Sequence, residues 1–138
     1  MELFLAFISQ HLILAGAFVS LVALYFFTEL RRSGQAVTPQ HLVSLVNRDA
    51  ARVVDLRDGA EYRAGHIAGA INIPLKDLDK HMGELAGCED TPVVLVCKQG
   101  QLASGAGKTL REKGFTQVFR LAGGIGEWEA ARLPLVKK

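Results

Sequence analysis

The stretch Val93-Val94-Leu95-Val96-Cys97-Lys98-Gln99-Gly100 decides the fold. Four consecutive apolar residues after Pro92 read as a strand buried on both faces, because a strand with one wet face would alternate. Gly100 then allows a tight turn. A helical pattern over 103–113 follows, and Gly114 ends it. Strand, glycine-containing loop and helix make one step of a parallel α/β fold. The same rhythm continues on either side. Val53-Val54 is a short strand ending in Asp55, Ile71-Asn72-Ile73 is another stopped by Pro74, and Val118-Phe119 is a third. Between them, Thr38-Pro39 reads as an N-cap and first-turn proline for a helix over 41–48, with Leu42, Leu45 and Val46 on one face. Asp58 can cap a short helix through Arg63 that Gly65 ends. Leu75, Leu78, Met82 and Leu85, spaced by three and four, predict a helix over 75–85. A last helix is expected over 125–131. Alternating strands and helices argue for a parallel sheet covered on both faces. Ligands in such sheets sit beyond the carboxyl ends of the strands, which is where Cys97 falls.

The 138 residues suit one domain plus an appendage. The composition, 49% apolar and 22% charged, averages two unlike parts. Residues 3–27 hold no charged side chain, counting His11 as neutral. As a helix that stretch would be about 37 Å long at ~1.5 Å per residue, enough to cross ~30 Å of hydrocarbon. Ser9, Gln10 and His11 weaken its first third. The dense run 12–27 is a little short alone, so the span is expected to take in a few residues before Leu12. Glu2 and the absence of an early Lys or Arg weigh against a secretory signal. Tyr25-Phe26-Phe27 suits an interfacial belt, and Arg31-Arg32 place the following domain on the cytoplasmic side, with a bacterial inner membrane as the expected setting. Residues 1–35 are thus read as a single-pass anchor with a short linker, Ser33-Gly34-Gln35, and 36–138 as the soluble domain. Gly16 and Ser20 form a small-residue stripe suited to an integral membrane partner or self-association. Small residues are also common in such helices without any partner. Net charge is +2 with dispersed basic residues, so no nucleic-acid surface is expected. Two cysteines, Cys88 and Cys97, without a disulfide framework fit a reducing compartment. No metal-ligand spacing is present, and no cofactor is expected.

The loop Cys97-Lys98-Gln99-Gly100-Gln101-Leu102 runs from strand end to helix start. Such a loop can aim several backbone N–H groups at one point, and the next helix adds its positive end. A thiolate held there is a stabilised nucleophile, with Lys98 as a nearby cation. A cysteine at a strand end is otherwise most often packing.

Three blocks carry a resemblance that covers essentially the whole soluble part. The first is Val53-Val54-Asp55-Leu56-Arg57, then Glu61-Tyr62, then Gly65-His66-Ile67-Ala68-Gly69-Ala70-Ile71-Asn72-Ile73-Pro74. The second is Cys97 with Gly100. The third is Leu121-x-Gly123-Gly124-Ile125, Trp128 and Leu133-Pro134. Residues 37–135 resemble the single-domain rhodanese-like, or thiosulfate sulfurtransferase-like, family. The resemblance implies an α/β fold with five parallel strands and helices on both faces. It implies that Cys97 takes sulfane sulfur from a small anionic donor or a protein persulfide and passes it on. It implies that the backbone of Lys98, Gln99, Gly100, Gln101, Leu102 and Ala103 cradles the anion. Asp55 and Arg57 are expected to brace the active-site loop, and His66 to fix the turn around Gly65 and Gly69. Gly123-Gly124 is expected to turn tightly near the site, and Trp128 to be core. The chain departs from the family where many members place an arginine followed by a serine or threonine. Leu102 and Ala103 stand there. That departure points away from thiosulfate and toward a persulfide donor. Ala103 also argues against a phosphatase, whose loop would need an arginine at that place.

Three functions follow as expectations. The first is a membrane-anchored sulfurtransferase. The second is a non-catalytic docking or scaffold module in a membrane protein complex. The third and weaker is a thiol redox sensor, for which no resolving cysteine at C-x-x-C spacing is present.

Overall fold

The structure is a computed structural model that describes residues 1–32 and 34–137. Ser33 of the expected linker and the terminal Lys138 lie outside the described residues. The chain divides into two units, Met1–Arg31 and Arg32–Lys138.

The first unit is two helices, α1 (Glu2–Gln10) and α2 (Leu12–Arg32). The break falls at His11, whose φ of −123° and ψ of 40° are not helical. The Phe7 and His11 rings pack there at 4.8 Å. The segment long and apolar enough to cross a membrane is Leu12–Arg31, with a mean hydropathy of 2.0. It therefore starts at Leu12 and gains its length past Phe27, not from residues before Leu12. Thr28, Glu29 and Leu30 continue the helical hydrogen bonding that 12–27 begins, and the Arg31 guanidinium lies 4.4 Å from the Phe27 ring centroid. Ser20 Oγ donates to the Gly16 carbonyl at 2.8 Å, so its hydroxyl is satisfied within the helix.

The second unit is an α/β domain. Its strands are β1 (Gln35–Val37), β2 (Arg52–Asp55), β3 (Ile71–Asn72), β4 (Val93–Val96) and β5 (Val118–Leu121). They form one sheet in the order β1-β5-β4-β2-β3, and every pairing is parallel. The central strand is β4, which explains why its four residues are all apolar: both faces of each are covered. Successive side chains point to opposite faces. Val93 and Leu95 enter one core with Val54, Leu78, Leu85 and Leu110, while Val94 and Val96 enter the other with Val37, Leu42, Leu45 and Trp128. Helix α5 (Ala103–Glu112) covers the first face. Helices α3 (Pro39–Asp49) and α6 (Gly124–Ala130) cover the second. Helix α4 (Gly59–Ala64) carries Tyr62, which packs against that second core.

Two expectations need correction. Gln35, placed in the linker, opens β1, which pairs with β5 in the register Gln35↔Phe119 to Val37↔Leu121. The segment 75–85 is not one helix but two 3-10 turns, Leu75–Asp77 and Met82–Leu85. The four apolar residues do face the core, with Leu78 and Leu85 buried and Leu75 and Met82 packed against them. A spacing of three suits a 3-10 turn as well as an α-helix, and Gly83 weakens the longer element.

Candidate active site

Cys97 directly follows β4 and is 1% exposed. Its Sγ accepts a hydrogen bond from the Gly100 backbone N–H at 2.9 Å. That bond requires the loop to double back, which Gly100 permits with a φ of +86°. The loop is held from behind by α6. The Ile125 N–H donates to the Cys97 carbonyl at 2.9 Å, and the Gly126 N–H donates to the Lys98 carbonyl at 3.2 Å. Because a trans peptide sets its N–H opposite its C=O, the N–H groups of Lys98 and Gln99 turn away from α6. Such close approach is possible only with no side chain at the contact. A Cβ on Gly124 would fall 2.1 Å from the Cys97 carbonyl oxygen, and one on Gly100 would fall 3.2 Å from the Gly123 nitrogen. The tight turn expected at Gly123-Gly124 is thus the wall that shapes the cysteine loop.

Leu102 starts α5 without a side-chain cap, and the first turn holds no acidic residue. The uncapped N–H groups and the positive end of α5 therefore add to the field felt by an anion beside Cys97. Cys97, Lys98, Gln99, Gln101 and Leu102 line a cleft of about 320 Å³. A neighbouring cleft of about 370 Å³ shares Cys97, Lys98 and Leu102 and adds residues from the ends of β2 and β3 and from α4, among them Leu56, Asp58, Glu61 and Leu75. Ala103 is buried in the core and lines neither cleft, so of the expected cradle only its backbone position remains relevant. Sequence reasoning missed the contributions of Leu56, Asp58, Glu61, Leu75 and Lys76, which the sheet order alone brings beside Cys97.

Asp55 is 1% exposed and is paired by Arg57. The guanidinium bonds both carboxylate oxygens, with Nη2 to Oδ2 at 2.7 Å and Nε to Oδ1 at 3.0 Å. Nη2 also donates to the Gly65 carbonyl at 2.6 Å. The pair therefore braces the turn at Gly65, not the 97–102 loop directly. Its link to the cysteine runs through the ladder, where the Leu56 N–H donates to the Val96 carbonyl at 2.8 Å. Asn72, read from the sequence only as a strand residue, completes this corner by donating from Nδ2 to the Asp55 and Arg57 carbonyls.

His66 is buried and structural in its contacts. Its Nδ1 lies 2.8 Å from the Tyr62 carbonyl, so that nitrogen carries the proton. Its ring stacks on Tyr62 at 3.8 Å, and its backbone pairs with Val136. The Tyr62 hydroxyl donates to the Ala70 carbonyl. Burial, and then the charge of Asp55, push the Tyr62 phenol above its ordinary value of 10.0. Trp128 is core, as expected, and its Nε1 donates to the Pro134 carbonyl at 3.0 Å. Cys88 is a free, buried thiol in the core that also holds Cys97.

The five-stranded parallel sheet covered by helices is a rhodanese-like arrangement. The chain belongs to the rhodanese-like family: residues 38–131 match the family model described as Rhodanese-like domain. It is 35% identical over 141 residues to the uncharacterized protein YibN of Escherichia coli, covering 99% of each chain. It is 36% identical over 90 residues to the thiosulfate sulfurtransferase GlpE of Shewanella oneidensis, covering 65% of this chain and 87% of that one. The crystal structure of a rhodanese-related protein from Thermoplasma volcanium matches with a TM-score of 0.68 at 26% identity, covering 75% of this chain and 99% of that one.

Proposed function

We propose that this protein is a sulfurtransferase that carries sulfane sulfur as a persulfide on Cys97, tethered to a membrane by α2 with its α/β domain on the cytoplasmic side of a bacterial inner membrane. The observation that carries the reading is the Gly100 N–H donated to Cys97 Sγ at the carboxyl end of the central strand. A backbone donor fixed on sulfur is in place before the reaction and costs no reorganisation when charge moves at that atom. The Cys97 thiolate attacks the outer sulfur of a donor, the S–S bond of the donor breaks, and its electron pair leaves with the donor's remaining fragment. With thiosulfate that fragment would be sulfite. A nucleophilic acceptor then attacks the outer sulfur of the Cys97 persulfide and regenerates the thiolate. Lys98, Gln99, Gly100, Gln101 and Leu102 supply the surrounding backbone, and the relatives named thiosulfate sulfurtransferase support the same chemistry.

The test is intact-mass measurement of the full chain in detergent micelles after a sulfane-sulfur donor, beside Cys97→Ser. One added sulfur atom that is absent in the variant and removed by cyanide is expected. No adduct with thiosulfate or any persulfide would end the reading. The tether is supported by the length and hydropathy of Leu12–Arg31 and the sidedness by Arg31-Arg32. A C-terminal reporter that is active only outside the cytoplasm should stay silent.

A second reading, a docking module, is favoured by one observation: Leu102 stands 56% exposed at the lip of the site. If Cys97→Ser spares the cellular role, docking is the function.

A further inference from the structure

Resting on the sulfurtransferase reading, we infer that the donor taken by the cleft over Cys97 is a zwitterionic amino-acid persulfide of the cysteine type, and not a small inorganic dianion. The charges around the 370 Å³ cleft are the ground for this. Arg57 lines it, but its guanidinium is committed to Asp55 and to the Gly65 carbonyl. The other charged side chains are two ammoniums, Lys76 and Lys98, and two carboxylates, Asp58 and Glu61, all exposed. Asp58 occupies the N-cap of α4, yet its carboxylate makes no capping bond. It is therefore not spent on the helix.

A dianion entering this cleft is attracted and repelled by equal numbers of these exposed side-chain charges, so the side chains add no steering to what the backbone at α5 supplies. It would also lose hydration against the apolar surface of Leu75 and the exposed Leu102. An amino-acid persulfide matches every part. Its ammonium suits Asp58 and Glu61, its carboxylate suits Lys76 or Lys98, its methylene suits Leu75 and Leu102, and its outer sulfur meets the buried thiol. Complementary charge of both signs is what distinguishes one small ligand from another at equal volume. In the transfer, the Cys97 thiolate bonds the outer sulfur of R–S–SH. The S–S bond of the donor breaks and its electron pair leaves as R–S⁻, while the proton stays on the sulfur now carried by Cys97.

The experiment compares initial rates of sulfur loading on the full chain in detergent micelles with cysteine persulfide, N-acetylcysteine persulfide and thiosulfate. N-acetylation removes the ammonium and leaves the carboxylate and the reacting sulfur in place. Cysteine persulfide should load about fivefold faster than its N-acetyl form, the size of one exposed charge pair, and faster than thiosulfate. In Asp58→Asn/Glu61→Gln the ratio between the two persulfides should fall toward one, with the thermal melt unchanged because both side chains are exposed. Equal loading by the two persulfides, a ratio that survives the double substitution, or faster loading by thiosulfate would overturn the inference and leave the sulfurtransferase reading standing. Failure of all three donors to load Cys97 would remove both.

Discussion

The α-carbon of Gly124 stands so close to Cys97 that a side chain on it would point its first carbon at the Cys97 carbonyl oxygen, 2.1 Å away. The obstacle is backbone, which cannot rotate aside, and Gly124 also has a φ of +61°. Gly124→Ala is therefore expected to push the cysteine loop off the end of α6 and break the Ile125–Cys97 and Gly126–Lys98 hydrogen bonds. A destabilisation of about 2–4 kcal/mol is expected from backbone strain and overpacking. Urea unfolding measures it, and sulfur loading on Cys97 should fall in the same variant even at low temperature, where the fold persists.

Asp55 and Arg57 give a second outcome. Arg57→Ala strands a carboxylate that is 1% exposed, and removing one partner of a buried pair costs about 3–5 kcal/mol. Arg57→Lys should recover only part of this, because a single ammonium nitrogen lacks the planar fork by which Nε and Nη2 hold the two carboxylate oxygens side by side while Nη2 also reaches the Gly65 carbonyl. A ranking of wild type, Lys and then Ala in urea midpoint is the expected order. Equal midpoints for all three would mean that the pair adds nothing.

Tyr62 sets a pH dependence at the alkaline end. Its phenol titrates higher in the folded chain than in the unfolded one because burial and Asp55 disfavour the phenolate. The unfolded chain therefore releases that proton first. The contribution is complete below about pH 10 and is lost as pH rises from there through the folded value. Tyr62→Phe should flatten this alkaline decline. At neutral pH it should cost about 1 kcal/mol for the lost bond to the Ala70 carbonyl, while the stack on His66 remains. Thermal melts at pH 7 to 11 measure both.

Strand β1 makes a prediction about truncation. Val37 is 2% exposed in the core, and its carbonyl accepts the Ala122 N–H at 2.9 Å. A fragment 38–138 loses this strand, whereas 34–138 keeps it. The shorter fragment should be less stable by about 2 kcal/mol or more from the buried valine alone, and chemical denaturation of the two side by side checks this.

The sheet and the cysteine were legible in the sequence for one reason. Strand β4 is covered on both faces, so its burial is written as an unbroken apolar run ending at Cys97. Strand β1 was not legible, because Gln35, Ala36 and Val37 form three pairs at an edge with only Val37 buried. The segment 75–85 disclosed which residues face the core but not the helix type, since Leu75 and Leu78 meet the core equally well from a 3-10 turn. The break at His11 was hidden because a polar residue in an apolar run weakens a span without saying that it ends there. At the site, Cys97, Gly100 and Gly124 could be found from their own segments. Asp58, Glu61 and Lys76 could not, because they share a cleft with Cys97 only through the adjacency of β2 to β4 and, for Lys76, of β3 to β2.

The depth of Cys97 also limits which molecules can exchange atoms with it. Its sulfur sits beneath the lip formed by Lys98 and Leu102, so a flat protein surface meets the lip before it meets the sulfur. Under the proposed transfer, a macromolecular acceptor would have to bring its nucleophile on a slender protrusion, such as a flexible tail or a carrier arm. A sulfur held on Cys97 in that transfer would be correspondingly sheltered from bulky reagents in solution, because the thiol is 1% exposed.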